Sequence, residues 1–88
     1  MTVNSIVEWY QDEISHWDFY SDPQRAGIDN GHIIVCLRSY DWYITKNKIE
    51  DVETAVKALF EITWLSEFND DSQDLAFINF SKYWRKYE

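Results

Sequence analysis

Eighty-eight residues make one domain, near the size at which a single core is only just sufficient. With 45% apolar and 18% aromatic residues, but two Gly and one Pro, the chain is expected to fold and is not disordered, collagen-like or low-complexity. Sixteen acidic residues against eight basic give a net charge of −8, which repels DNA, RNA and anionic lipid and discounts direct nucleic-acid binding first.

The N-terminal Met-Thr-Val-Asn-Ser has no basic start and no apolar h-region, so no signal peptide is expected. Helix character begins at once. Ser5 is the predicted N-cap, with Glu8 three residues later closing a capping box. Val3, Ile6, Val7, Tyr10, Ile14 and Trp17 fall on one side of the helical wheel. Glu8, Asp12 and Ser15 fall on the other, a solvated face.

Asp22-Pro23 ends this helix, because proline biases the residue before it away from helical dihedrals. Asn30-Gly31, both tolerant of positive φ, predicts a tight hairpin between a weak strand near 24–29 and a strong one over 32–38. In the strong strand Ile33, Val35 and Leu37 share one face and His32, Ile34, Cys36 and Arg38 the other. Apolar groups on both faces suit a central strand. Ser39-Tyr40-Asp41 turns the chain into a third strand over 42–46, completing a three-stranded antiparallel meander.

A long helix is expected next. Asn47 is its predicted N-cap and Glu50 its third helical residue. Glu50, Asp51 and Glu53 complement the helix dipole. Ile49, Val52, Ala55, Val56, Leu59, Phe60 and Ile62 form a broad apolar stripe, with Glu50, Glu53, Lys57 and Glu61 facing away. Leu65 and Phe68 fall on the polar side, so either the helix ends near Trp64 or something covers it there. After an acidic turn, Asn69-Asp70-Asp71, Ser72 is read as the cap of a last helix carrying Ala76, Phe80, Tyr83, Trp84 and Tyr87. A strand over 74–80 competes, since Ala76, Ile78 and Phe80 also alternate; the longer periodic match favours helix. The expected fold is α+β in a single domain, 1–88: an N-terminal helix, the meander, then two helices packed on the sheet.

Catalytic constellations fail one by one. Cys36 permits no intrachain disulfide, and it stands about 13 Å along the strand from His32, beyond hydrogen-bond reach. His16 lies elsewhere, on the first helix. No G-x-S-x-G elbow or Gly-rich phosphate loop is present. One Cys and two scattered His do not make a zinc site. The carboxylate-rich stretch 67–74 fails the calcium-loop pattern, which from Asn69 would put Asp74 where glycine is needed and Phe80 where glutamate is needed. The expectation is a non-enzymatic protein with no catalytic residue, no cofactor and no metal. The longest unbroken apolar run, Ile33 to Leu37, is far too short to span a bilayer, so a cytosolic location and no membrane partner are expected.

Charge is grouped along the chain. Residues 1–37 carry −5 and residues 50–74 carry −7, whereas 38–49 and 75–88 each carry +2. On a continuous helix Glu50 and Glu61 lie on nearly one side, about 16 Å apart at 1.5 Å rise per residue. Duplex DNA presents one negative charge per about 1.7 Å of axis, so a rigid carboxylate ridge can approximate part of a phosphate track. The candidate partner-binding residues are Glu50, Glu53, Glu61, Glu67, Asp70, Asp71 and Asp74. The partner they imply is the basic site of a nuclease or other nucleic-acid-binding protein. The bland alternative is an acidic surface that only keeps the protein soluble.

The layout resembles small acidic phage-encoded inhibitors, in particular anti-CRISPR proteins that act on Cas9-type nucleases. The likeness is of length, acidity and element order: a short N-terminal helix, a meander through Ile33-Ile34-Val35 and Trp42-Tyr43-Ile44-Thr45, and an acidic half through Asp74. The resemblance implies binding to the effector where target DNA enters, with carboxylates in place of phosphates, in the host cytosol. The basic aromatic tail Lys82-Tyr83-Trp84-Arg85-Lys86-Tyr87 departs from it and points to core packing or a second contact. Two alternatives use other biology: an immunity protein or antitoxin that neutralises a nuclease toxin, and an assembly module that forms a homodimer or other oligomer through its aromatic surface.

Overall fold

A computed structural model of the chain describes residues 1–16, 23–37, 41–66 and 82–87. The chain is α+β. Its elements run α1 (Val3–Ile14), β1 (Pro23–Asp29), β2 (His32–Leu37), β3 (Trp42–Thr45), α2 (Val52–Ser66) and β4 (Trp84–Lys86). The four strands form one antiparallel sheet in the order β1-β2-β3-β4. No helix among the described residues is long and apolar enough to cross a membrane.

Helix α1 starts one turn earlier than predicted. Thr2 is its N-cap: Thr2 Oγ1 accepts the Ser5 N–H at 3.1 Å, and Ser5 Oγ accepts the Thr2 N–H at 2.8 Å. The reciprocal pair that defines a capping box is therefore Thr2 with Ser5, not Ser5 with Glu8. The earlier start brings Val3 against the core and adds the Ile6 N–H to Thr2 C=O bond, at 3.1 Å. Ile6, Val7, Tyr10 and Ile14 are buried as the stripe predicts; Trp17, the last predicted member, lies outside the described residues.

The hairpin is as expected. Asn30 has φ 51° and Gly31 φ 85°, the two positive values that a two-residue type I′ turn needs. Glycine is required at position 31 for a second reason: a Cβ there would sit 3.3 Å from the Lys48 stem. Ile33 pairs with Ile28 and Val35 with Ala26 across the turn. Ile33, Val35 and Leu37 face the helices, whereas Cys36 and Ile44 are buried but do not join the cluster that the helices cover. β2 is thus an interior strand with both faces in use.

The second helix corrects another predicted cap. Asp51, not Asn47, opens α2: its Oδ1 accepts the Thr54 N–H at 2.7 Å and its Oδ2 the Thr54 hydroxyl at 2.8 Å. Residues 47–50 precede the helix because the Ile49 N–H is drawn to the Gly31 carbonyl at 2.8 Å, which buries Ile49 under the hairpin end. The helix then runs to Ser66, two residues beyond Trp64, where one of the two expected alternatives placed its end. Ala55, Leu59 and Ile62 are buried as the stripe predicts, but Val56 and Phe60 are exposed and Ala58, outside the stripe, is buried, which turns the buried face toward Ala58. The stripe is therefore narrower than the sequence pattern.

The tail differs most. Helical spacing predicts a final helix through Tyr83, Trp84 and Tyr87, yet 84–86 are a fourth strand on β3, so the sheet has four strands where three are expected. Edge hydrogen bonding and one large side chain decide this. The Lys46 N–H donates to the Tyr83 carbonyl at 2.6 Å and the Tyr87 N–H to the Trp42 carbonyl at 2.9 Å, which satisfies the outer edge of β3. Trp84 is 0% exposed, and its indole N–H donates to the Ala58 carbonyl of α2 at 2.8 Å. The rest of the predicted last helix, its Ser72 cap and the competing strand over 74–80 lie outside the described residues.

Candidate functional site

The seven predicted partner-binding carboxylates do not form one helical ridge. Glu67, Asp70, Asp71 and Asp74 lie outside the described residues. Glu50 is exposed but stands ahead of α2, beyond the Asp51 cap, so the helical spacing that set it about 16 Å from Glu61 does not apply. Glu53 occupies the first turn of α2, where its charge suits the helix dipole, and its Oε1 meets Lys57 Nζ at 3.0 Å. That contact raises the Lys57 pKa, first through the hydrogen bond and then through the charge. Glu61 is half-buried and its Oε1 accepts the Lys82 N–H at 3.2 Å, tying α2 to the approach of β4. On a helix, eight residues separate Glu53 and Glu61 by about 80° around the axis.

The structure instead groups charge by layer. α1 carries Glu8, Asp12 and Glu13, all exposed, and no Lys or Arg. With Glu50, Asp51, Glu53 and Glu61 they give the helical layer a run of carboxylates, relieved by Lys57 within the helices and by Lys82 at their border. The strands and their turns carry the opposite sign. Arg25, Lys46, Lys48, Arg85 and Lys86 are exposed there, against Asp29 and Asp41 among the described residues. Asp41 also pairs with Lys86 at 3.5 Å. Sequence reasoning set Glu8 and Asp12 aside as a solvated face; their contribution appears only once α1 and α2 are seen to share one side of the sheet.

Two grooves border α1. The first lies between α1 and α2, holds about 250 Å³, and is lined by Ile6, Trp9, Tyr10, Glu13, Val56, Leu59, Phe60 and Thr63. Tyr10 and Thr63 join their hydroxyls across its floor at 2.6 Å, and the Thr63 hydroxyl also bonds the Leu59 carbonyl at 2.7 Å. Trp9, Val56 and Phe60 remain 60%, 47% and 70% exposed. The second groove holds about 410 Å³ and runs between α1 and the free side of β1, lined by Asn4, Val7, Glu8, Gln11, Ala26, Gly27 and Ile28. The Gln11 carboxamide bridges it, accepting the Ala26 N–H and donating to the Gln24 carbonyl. A side-chain amide thereby stands in for part of a neighbouring strand and blunts the sheet edge.

The candidate nucleophile and bases are held apart. Cys36 is buried and free, its thiol directed to the Leu37 carbonyl at 3.3 Å. His32 Nδ1 lies 2.9 Å from the Thr45 carbonyl, while His16 is exposed beyond the end of α1. Among the described residues no group of three or more His, Cys, Asp and Glu is placed to hold a metal ion.

What the fold defines is a small two-layer α+β domain with an acidic helical side. No family model matches the chain, and no curated protein or solved structure is detectably similar to it.

Proposed function

We propose that the protein is a non-enzymatic inhibitor that binds the basic, nucleic-acid-binding site of a partner protein and occupies it in place of nucleic acid. The observation that supports this reading is the separation of charge by layer. Glu8, Asp12 and Glu13 on α1 and Glu50, Asp51, Glu53 and Glu61 on and just before α2 put seven carboxylates about the two helices against Lys57 and Lys82, whereas the strands and the segments joining them carry Arg25, Lys46, Lys48, Arg85 and Lys86 against Asp29 and Asp41 among the described residues. A basic cleft would meet the helical side first and be steered onto it over the range of a Debye length, about 8 Å at physiological salt. The partner class proposed from the layout is an effector nuclease of the Cas9 type. Glu67, Asp70, Asp71 and Asp74 extend the same acidic stretch in sequence and are part of the proposal.

The test is displacement of labelled duplex DNA from such an effector by the whole protein. Displacement is expected, and it should weaken more than tenfold in the variant Glu8→Lys/Asp12→Lys/Glu13→Lys and in Glu67→Lys/Asp70→Lys/Asp71→Lys. Arg85→Glu, on the opposite layer, should leave it unchanged. Full displacement by correctly folded charge-reversed chains would reject the carboxylate surface, and absence of displacement by the parent would reject this partner class.

A second reading is favoured by the exposure of Trp9 and Phe60: an assembly module that self-associates through aromatic side chains. Light scattering separates the two, because self-association would survive the charge reversals.

A further inference from the structure

We propose that the groove between α1 and α2 is a docking site for a cationic amphipathic helix of a partner protein. The groove is built rather than incidental. Ile6, Tyr10 and Leu59 form a buried floor, and the Tyr10–Thr63 hydroxyl contact fixes the spacing of the two helices. Trp9 and Phe60 stand on opposite walls and are mostly exposed, although the core is already closed beneath them. Large aromatic groups held on rigid helices around an apolar depression are the arrangement from which interface hot spots are drawn.

Size and chemistry narrow the occupant. At about 250 Å³ the groove is smaller than the roughly 300–1,000 Å³ typical of a small-molecule site, and it offers few polar groups to orient one. It suits the successive apolar side chains of a helix laid between two helices. Its border selects the sign of that helix. Glu13 lines the groove, Asp12 stands next to it on the exposed side of the same helix, and α1 has no Lys or Arg to offset them. Lys or Arg flanking the apolar stripe of the incoming helix would find these carboxylates. A second copy seated in this groove, the self-association considered above, is the competing occupant that the titration below distinguishes. Anionic lipid is disfavoured by these carboxylates. The inference goes beyond the proposed function: it stands on the apolar side chains of the groove and applies whether or not the partner binds nucleic acid.

The probe is a synthetic amphipathic Leu/Lys peptide of about 18 residues, roughly five helical turns, titrated into the isotopically labelled full chain. A scrambled peptide of the same composition serves as control. The ordered peptide should bind one to one and shift the amides of Trp9, Glu13, Val56 and Phe60 together with the Trp9 indole N–H; the scrambled one should bind at least tenfold more weakly. Phe60→Ser and Trp9→Ser should each cost about tenfold or more in affinity. Equal binding of the two peptides would show charge attraction alone and overturn the proposal. So would shifts centred on another face, or the same residues shifting with protein concentration when no peptide is present, which would assign the groove to a second copy. If either variant fails to fold, the peptide comparison and the amide map on the parent chain still decide.

Discussion

Asp51 links a local choice of cap to the geometry of the acidic surface. Its carboxylate accepts both the backbone N–H and the hydroxyl of Thr54. These bonds favour the charged form and hold its pKa below the usual carboxylate value, the backbone bond contributing most. A depressed pKa means that the cap is fully stabilising above about pH 4 and is lost as pH falls through the lowered folded value. Asp51→Ala is expected to lower Tm at neutral pH by on the order of 5 °C, and the gap to the parent should close in acid. A thermal melt series from neutral to acidic pH checks this; a gap that persists at the lowest pH would remove Asp51 as the cap. Thr2 and Ser5 act similarly at α1. In both helices the sequence offered several oxygen-bearing residues within one turn, and each satisfied the same local rule. Tertiary ties chose among them: the Ile49 N–H to the Gly31 carbonyl at α2, and Val3 packing at α1.

At the scale of elements, the tail is the instructive case. Phe80, Tyr83, Trp84 and Tyr87 have helical spacing, and a basic end suits a helix C-terminus. Local pattern loses here to two non-local demands, the unsatisfied edge of β3 and the space between β3 and α2. Trp84 answers both, pairing with Thr45 in the ladder while its indole reaches Ala58 in α2. Thr45 is itself fully buried and hydroxyl-bonded to the Ile33 N–H at 3.1 Å, so β2, β3, β4 and α2 are fastened around one point. Trp84→Phe should keep one aromatic ring but lose the indole N–H and leave a cavity where the second ring packed, destabilising the domain by about 2–5 kcal/mol. Urea unfolding monitored by far-UV circular dichroism reads this as a lower midpoint. A midpoint equal to that of the parent would show that the indole bond to α2 contributes nothing. Element type for α1, the Asn30-Gly31 hairpin, β2, β3 and α2 was legible, because hydrophobic period and turn residues act over a few positions. Which strand a tail joins is a contact between residues some forty positions apart, and periodicity carries no information about it.

Over the whole molecule, the arrangement of charge matters more than its total. A net of −8 is a property of composition, but among the described residues its carboxylates gather on and around the two helices while most cations lie on the strands and the segments joining them, which gives the molecule an electrical direction. If that direction steers it onto a basic partner, salt should act on the association rate far more than on dissociation. Raising ionic strength from about 0.05 to 0.5 M shrinks the Debye length several-fold and should slow association by about tenfold or more in stopped-flow measurements against the effector. An association rate indifferent to salt would mean that the acidity serves solubility only. Of the candidate site, the sequence by itself determined that carboxylates are abundant, clustered along the chain and accompanied by no catalytic motif. It also determined that the chain folds as α+β, since period and turn chemistry are local and additive. Only the tertiary structure decided which carboxylates share a side. It removed Glu50 from the helix, bound Glu53 to Lys57 and Glu61 to the Lys82 amide, and brought Glu8, Asp12 and Glu13 of α1 to the layer that holds α2. It also left Trp9 and Phe60 facing each other across a groove, although wheel patterns for the separate helices place Phe60 in the core. The reason is geometric: a helical wheel reports the direction of a side chain around its own axis, and only the packing of one axis against another says whether that direction leads to solvent, to the core or to a neighbour.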